Sequence, residues 1–113
     1  MKPISETDFD QRVLRSPLPT LVHFYAPWCG LCRLVDPLLL QLQKQYGEQL
    51  QVVRVNADSS LRLANRYRLR MLPTLLLVRN GEIWQRWETF QSRDQLYQQL
   101  QQAVQAILAT PLV

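Results

Sequence analysis

The feature that constrains the fold most is a run of strand-favouring residues at positions 20–26, Thr-Leu-Val-His-Phe-Tyr-Ala. Only His23 in this run is ionisable, and such an almost wholly apolar run is typical of a central strand covered on both faces. Pro27 breaks the strand. Apolar residues then recur at helical spacing over positions 34–46. The sequence therefore predicts a buried strand that leads through a short loop directly into an amphipathic helix.

The rest of the chain alternates between strand and helix signals. Strands separated by helices pair in parallel through right-handed crossovers, whereas the Asn80-Gly81 pair predicts an antiparallel hairpin. We expect further strands at 51–56, 75–78 and 83–87, and helices that begin at Ser5, run from about Ser60 to Arg68, and begin again at Ser92. The prediction is an α/β fold whose mixed central β-sheet of four to five strands is flanked by four helices. Residues 2–4 are the candidate fifth strand, at an edge.

Length and composition fit one domain that spans residues 1–113, because 113 residues of which 47% are hydrophobic can form a real core. The net charge of +4 comes mainly from arginines spread along the chain. Nucleic-acid binders more often gather such residues on one element, so we expect no nucleic-acid partner. No apolar run has the length of a membrane span, so we expect no membrane association.

The two cysteines of the chain are separated by two residues, and its first residues lack the apolar segment of a signal peptide. We therefore expect a cytoplasmic protein. In a reducing compartment a lone pair with this spacing is seldom a structural disulfide; it is more often catalytic or a metal site. Both of these alternatives are open at this point.

The position of the cysteine pair favours thiol chemistry. Cys29 falls where the predicted helix begins, and the unpaired backbone N–H groups and positive dipole end found there favour an anion. Such a position lowers the pKa of a thiol, and the thiolate is the attacking species. Cys32 follows one helical turn later. We expect Gly30 to allow the close approach of the two cysteines. We expect Leu34 and the apolar residues after it to shield Cys32 from water, so that Cys29 attacks first and Cys32 second.

Several segments resemble the thioredoxin family in their residues, order and spacing. They are 24–33 (Phe-Tyr-Ala-Pro-Trp-Cys-Gly-Leu-Cys-Arg), Pro37, 55–58 (Val-Asn-Ala-Asp), 72–75 (Leu-Pro-Thr-Leu) and 80–82 (Asn-Gly-Glu). Together they extend over nearly the whole chain and are far more specific than a lone Cys-x-x-Cys. The resemblance implies the thioredoxin fold and a thiol–disulfide oxidoreductase. Its redox group is implied to be the Cys29–Cys32 disulfide, without another cofactor or a metal.

The resemblance also implies roles for the residues around the cysteines. Pro73 is implied to be a cis proline that faces the active site, and we expect it and His23 to belong to the catalytic site. Trp28 is implied to form a flat wall beside Cys29. The residues expected to contact the substrate are Trp28, Gly30, Leu31, Met71, Leu72 and Phe90. The implied partners are protein disulfides and an electron donor that resembles thioredoxin reductase, and we expect a monomer.

Three positions depart from the family pattern. Leu31 replaces a proline, Thr89 stands before Phe90 where a glycine is expected, and His23 occupies the strand position of an aspartate beneath the active site. A buried histidine there is a structural residue, the acceptor of the Cys32 proton or, as an imidazolium, a group that stabilises the thiolate. An aspartate would repel a thiolate whereas a histidine does not, and Leu31 adds a backbone N–H near Cys29. Both changes predict a less reducing couple than is usual in the family.

Other functions fit parts of the pattern. Cys29, Cys32 and His23 could converge on a metal ion, although the chain offers no fourth cysteine or histidine for a structural zinc site. A cluster or an ion shared between two chains is a further alternative. A binding module without catalysis would use the apolar patch formed by Trp28, Leu72, Pro73 and Phe90. The Trp-Cys-Gly start and the lack of a basic pocket signature argue against a glutathione-dependent glutaredoxin. Asp58 is interpreted as a cap of the third helix.

Overall fold

The computed structural model describes residues 3–111 and contains one four-stranded mixed β-sheet in the order β2-β1-β3-β4. The strands are β1 (Thr20–Tyr25), β2 (Gln51–Asn56), β3 (Thr74–Arg79) and β4 (Glu82–Trp87). β1 pairs in parallel with β2 and antiparallel with β3, and β3 pairs antiparallel with β4. All six residues of β1 are buried. The predicted mixed sheet, with the apolar run as a central strand, is confirmed.

Helices flank both faces of the sheet, as predicted. They are an N-terminal helical segment (a 3₁₀ turn Glu6–Asp8 followed by a π-helical turn Asp10–Leu14), α1 (Gly30–Tyr46), α2 (Leu61–Arg66) and α3 (Arg93–Ala109). Single 3₁₀ turns occur at Gly47–Gln49 and Ala57–Ser59. None of the helices within residues 3–111 is long and apolar enough to cross a membrane.

α2, which is the third of the four predicted helices, is shorter than the predicted range of residues 60–68. α2 ends at Arg66, and Arg68 adopts a left-handed backbone with φ of 51°. The guanidinium of Arg86, on β4, donates hydrogen bonds to the carbonyl oxygens of Tyr67 and Arg68. In a longer helix these two carbonyl groups would accept hydrogen bonds from the helix backbone. Because Arg86 donates to them instead, the helix can end before Tyr67.

Local signals in the sequence mark the remaining boundaries correctly. The Ser5 hydroxyl accepts a hydrogen bond from the Asp8 N–H, and the Ser92 hydroxyl accepts one from the Gln95 N–H. Asn80 and Gly81 have φ values of 54° and 79°, and they form the tight turn between β3 and β4.

The predicted edge strand at residues 2–4 is reduced to one bridge in the part of the chain that the structure describes. Pro3 pairs in parallel with Arg54, and the Ile4 N–H donates to the Arg54 carbonyl at 2.9 Å. Lys2, the first residue of that prediction, lies outside the described residues.

Alternate residues of β1 belong to two separate cores. Leu21 packs with α1 and α3 on one side of the sheet, whereas Val22 and Phe24 pack with the N-terminal segment and α2 on the other. His23 and Tyr25 share the side of Leu21 because side chains alternate along a strand. The end of β1 therefore places His23 and Tyr25 beneath the start of α1.

Candidate active site

Cys29 and Cys32 lie at the start of α1, where the chain leaves the central strand. Cys29 is the N-cap, with an extended backbone (φ −85°, ψ 105°), and its Sγ accepts a hydrogen bond of 3.2 Å from the Cys32 N–H. The two cysteines form a disulfide with their Cα atoms 5.4 Å apart. The predicted location of Cys29 at a helix N-terminus is confirmed. An N–H donor and the helix dipole at that atom favour a thiolate in the reduced form.

Both cysteines are buried, with exposures of 5% for Cys29 and 2% for Cys32. They pack with Tyr25, Ala26 and the partly buried Leu72. The prediction that Leu34 helps to cover Cys32 is wrong, because 47% of the Leu34 surface is exposed to solvent. The cover of the cysteine pair comes from the end of β1 and from the loop before β3.

Gly30 does not serve the close approach of the cysteines that we expected from the sequence. A Cβ built at this position meets no atom within 4 Å apart from its chain neighbours and the backbone of its own helix, and the backbone of Gly30 is not among those with a positive φ. Because the spacing of the two sulfurs is set by the helical turn, no steric reason requires glycine here. Gly30 is instead an exposed position beside Cys29.

The loop before β3 packs against the cysteine pair through Leu72, the residue that precedes Pro73. The Leu72–Pro73 peptide bond is cis, as the resemblance implied, and Pro73 is buried. Leu72 contacts the cysteine cluster. The Thr74 hydroxyl donates a hydrogen bond of 2.7 Å to the Met71 carbonyl and closes the loop.

Most residues predicted to contact the substrate line a groove of about 380 Å³ next to the cysteines. Four of the six predicted residues lie in its wall, together with Pro73, Leu34 and Arg93; the four are Leu31, Met71, Leu72 and Phe90. Trp28 lies on the other side of Met71 and Leu72, in a neighbouring shallow groove. Trp28 is 70% exposed and Leu31 is 54% exposed, so the surface around the cysteines is apolar and open.

Asp58 fixes the indole of Trp28. The Trp28 Nε1–H donates a hydrogen bond of 2.9 Å to Asp58 Oδ2. The interpretation of Asp58 as a helix cap is wrong, since the side chain that caps the turn before α2 is that of Asn56, which accepts from the Asp58 N–H. Because the Asn56 side chain already accepts the hydrogen bond of the backbone N–H in this turn, the Asp58 carboxylate can accept from Trp28.

A buried polar cluster lies behind the cysteines. His23 has no exposed surface, and its Nδ1 is 3.1 Å from Asp36 Oδ1. The same carboxylate oxygen is 3.2 Å from Arg54 Nε. The guanidinium of Arg54 lies 3.9 Å from the centre of the Tyr25 ring. We call His23, Asp36 and Arg54 the polar cluster.

Asp36 is the functional candidate that sequence reasoning missed. It is the only acidic residue of α1, and it follows Cys32 by four positions, which places both on one face of the helix. Its spacing from Cys32 was the available signal. His23 replaces the aspartate of the strand, as the sequence shows, but α1 supplies a carboxylate to the same region.

Opposing effects act on the pKa of Asp36. Partial burial raises it, but the hydrogen bond and charge of His23, and the charge of Arg54, lower it more, so that the pKa lies below its usual value of 3.8. Asp36 is therefore a carboxylate at neutral pH. An ionised carboxylate only accepts hydrogen bonds, so His23 is the donor through Nδ1–H.

The residues considered for a metal site are engaged elsewhere. Cys29 and Cys32 are bonded to each other, and His23 is bonded to Asp36. Within residues 3–111, no group of three or more His, Cys, Asp or Glu side chains is placed to hold a metal ion.

Comparison with known proteins agrees with this geometry. The family model of thioredoxin matches residues 1–102. Thioredoxin 1 of Synechococcus elongatus is 42% identical over 79 residues, which are 70% of this chain and 74% of that protein. A thioredoxin-like protein of Synechocystis is 40% identical over 94 residues, which are 83% of this chain and 90% of that protein. Thioredoxin Y of rice, named chloroplastic, is 35% identical over 99 residues, which are 88% of this chain and 59% of that protein. The chain belongs to the thioredoxin family and is a thiol–disulfide oxidoreductase.

Proposed function

We propose that this chain reduces disulfides of protein substrates, with Cys29 as the nucleophile and Cys32 as the resolving thiol. The observation that carries the proposal is the hydrogen bond from the Cys32 N–H to Cys29 Sγ at the start of α1. After reduction this donor stabilises a thiolate on Cys29, and the dipole of a 17-residue helix acts in the same direction. Cys32 lies inside the first turn and faces the core.

The reaction proceeds through two exchanges. The Cys29 thiolate attacks one sulfur of the substrate disulfide, so that a mixed disulfide forms and the other substrate sulfur leaves as a thiolate. Cys32 then loses its proton and attacks Cys29 Sγ, which releases the second substrate thiolate and forms the Cys29–Cys32 disulfide. Both leaving thiolates take up protons. The substrate gains two electrons, and the cysteine pair loses two.

The surface around the cysteines fits an extended, partly apolar substrate segment. Trp28, Leu31 and Met71 expose 70%, 54% and 44% of their surface, which is unusual for side chains of this size. The groove beside them ends at Arg93. Such a surface buries apolar substrate side chains on either side of the scissile disulfide, and Gly30 leaves room for the substrate backbone beside Cys29.

The electron donor in this proposal is a protein that resembles thioredoxin reductase and restores the dithiol. Membership of the thioredoxin family supports, in general terms, the proposal of protein substrates and of a reductase as partner. The cytoplasmic location and the monomeric state stay predictions. Among the relatives, thioredoxin Y of rice and thioredoxin M4 of Arabidopsis thaliana carry the word chloroplastic in their names.

Trapping of intermediates tests the assignment of the two cysteines. A Cys32→Ser variant lacks the resolving thiol and is expected to accumulate mixed disulfides with proteins of a cell extract. A Cys29→Ser variant is the matched control and is expected to trap almost none. Non-reducing electrophoresis measures both. The reverse pattern would show that Cys32 attacks first, and the absence of adducts with either variant would contradict the proposal.

A further inference from the structure

The polar cluster lies directly behind the resolving cysteine. Cys32 and Asp36 are four residues apart in α1, so their Cβ atoms are about 5–6 Å apart on one face of the helix. His23 contacts Asp36 from β1, and its ring centre is 6.1 Å from that of Tyr25, which belongs to the same buried cluster as both cysteines. Asp36 on α1 and Tyr25 on β1 thus both connect the histidine to the surroundings of Cys32.

The bond to Asp36 fixes the tautomer of His23. Because the carboxylate accepts, Nδ1 carries the hydrogen, and in the neutral ring Nε2 carries a lone pair. Within residues 3–111, Nε2 is buried without a hydrogen-bond partner. A buried polar atom without a partner is costly, and a catalytic role that brings it a partner is one explanation of such an atom. The available partner is a proton.

We infer that Asp36 is a positioning residue, which holds His23 in the Nδ1–H tautomer so that Nε2 accepts the proton of the Cys32 thiol. The inference rests on the proposed function and assigns the proton transfer of its second exchange. In that step the S–H bond of Cys32 breaks and an N–H bond forms at Nε2. The Cys32 thiolate attacks Cys29 Sγ, the substrate thiolate leaves, and the imidazolium returns its proton to that thiolate or to solvent.

The charges around His23 suit this transfer. Asp36 on α1 faces the ring from one side and stabilises the imidazolium that forms. Arg54 on β2 neutralises Asp36 in the resting state, and Tyr25 on β1 covers the guanidinium. The β3 residue paired with His23 is the apolar Leu75. The new positive charge is thus balanced by a carboxylate on one side and by the Cys32 thiolate on the other.

The single histidine of the chain allows a direct test by nitrogen NMR of the reduced protein. We expect the neutral ring of the wild type to be protonated at Nδ1 and unprotonated at Nε2. In Asp36→Asn the amide can donate to Nδ1, so we expect the proton to move to Nε2. A residue with only a structural role would not change the tautomer. An Nε2–H tautomer in the wild type, or an unchanged tautomer in the variant, would overturn the inference.

Two-phase kinetics then separate the exchanges. With a symmetrical nitrothiobenzoate disulfide, attack by Cys29 releases the first coloured thiolate, and resolution by Cys32 releases the second. We expect Asp36→Asn to slow the second release about tenfold at neutral pH, a modest part of what acid–base catalysis typically contributes, and to leave the first within about twofold. An unchanged rate of the second release in Asp36→Asn would refute the role of Asp36 but not the proposed function. A missing first release in the wild type would instead refute the proposed function.

Matched variants complete the test. Asp10→Asn removes another carboxylate that is 3.2 Å from an arginine, but at an exposed pair remote from the cysteines, and it should change neither phase. If Asp36 acts through His23, the Asp36→Asn change should have no further effect in a His23→Asn background. Additive losses would contradict this coupling. If His23→Asn does not fold, the tautomer measurements on the wild type and on Asp36→Asn still test the inference.

Discussion

The indole of Trp28 and the carboxylate of Asp58 are joined by a hydrogen bond of 2.9 Å between residues 30 positions apart in the chain. Trp28 is 70% exposed, so the contact holds a large apolar ring in one orientation on an open surface. Trp28 directly precedes Cys29, and in the proposed function its ring is part of the surface that contacts the substrate. A fixed orientation lowers the entropy lost on binding, because the ring is already ordered in the free protein.

Removal of the Asp58 carboxylate should weaken substrate binding more than it slows the chemical steps. We expect Asp58→Ala to raise the KM for a protein disulfide by about twofold to tenfold, the value of one hydrogen bond, with kcat nearly unchanged. Asp58→Asn keeps an acceptor for the indole N–H and should stay close to the wild type. Steady-state kinetics measure both variants. A loss confined to kcat would contradict this role of Trp28.

The parts of the site that the sequence predicted correctly depend on neighbouring residues. The apolar run of β1, its break at Pro27 and the helix that follows place Cys29 at an N-cap, and all of these signals are local. The hairpin at Asn80 and Gly81 is likewise a property of two adjacent residues whose backbones require positive φ. The chemistry of the cysteine pair could therefore be predicted before the packing was known.

The parts that could not be predicted depend on contacts between distant segments. Asp36 reaches His23 across 13 positions, and Asp58 reaches Trp28 across 30. No periodicity encodes such pairs, because each depends on the side on which a helix packs against the sheet. The error over Leu34 has the same origin, since helical spacing does not say how far the apolar face extends around α1.

Gly30 offers a simple test of the space beside Cys29. A methyl group at this position meets nothing within 4 Å beyond its chain neighbours and its own helix backbone, so Gly30→Ala should fold normally. We expect its free energy of unfolding to rise by about 0.5–1 kcal/mol, because alanine loses less backbone entropy than glycine. Denaturant titration measures this value. A clear loss of stability would show that the backbone there needs glycine after all.

Arg79 is a buried cation that joins β3 to the end of α3. Its guanidinium donates to the carbonyls of Ile107 at 2.7 Å and Thr110 at 2.8 Å, where the helix leaves carbonyl groups unpaired. Arg79→Met should lower the free energy of unfolding by about 2–4 kcal/mol, because charged donors are lost from buried acceptors. Arg12→Met at an exposed position is the control and should have little effect. Equal stability of the two variants would contradict the capping role.

The lowered pKa of Asp36 predicts a pH dependence of stability. A carboxyl group whose pKa in the folded state lies below its usual value of 3.8 stabilises the fold above that value, and this contribution is lost as the pH falls through the folded-state pKa. The difference in unfolding free energy between the wild type and Asp36→Asn should therefore be constant near neutral pH and shrink between about pH 5 and pH 2. Urea titrations across this range measure it. A difference in unfolding free energy that grows on acidification would contradict a lowered pKa of Asp36 in the folded state.

Leu31 is the remaining basis for the prediction of a less reducing couple, since Asp36 restores a carboxylate near the site. Leu31 is the second residue of α1, and the N–H groups of a first helical turn have no partner within the helix. Its N–H adds positive potential near Cys29 Sγ, which already accepts from the Cys32 N–H. This potential stabilises the thiolate and so the reduced form. We therefore expect a potential a few tens of millivolts above about −270 mV.

Leu31→Pro removes that N–H without crowding, because proline is tolerated in a first helical turn and the Leu31 side chain is 54% exposed. Equilibration against a glutathione buffer should give a more negative potential for this variant, by about 30 mV if the N–H is worth about 1.4 kcal/mol. Leu31→Ala keeps the N–H and loses the side chain, so its potential should equal that of the wild type. An equal shift in both variants would assign the effect to the side chain, and no shift in Leu31→Pro would remove the physical basis for a less reducing couple.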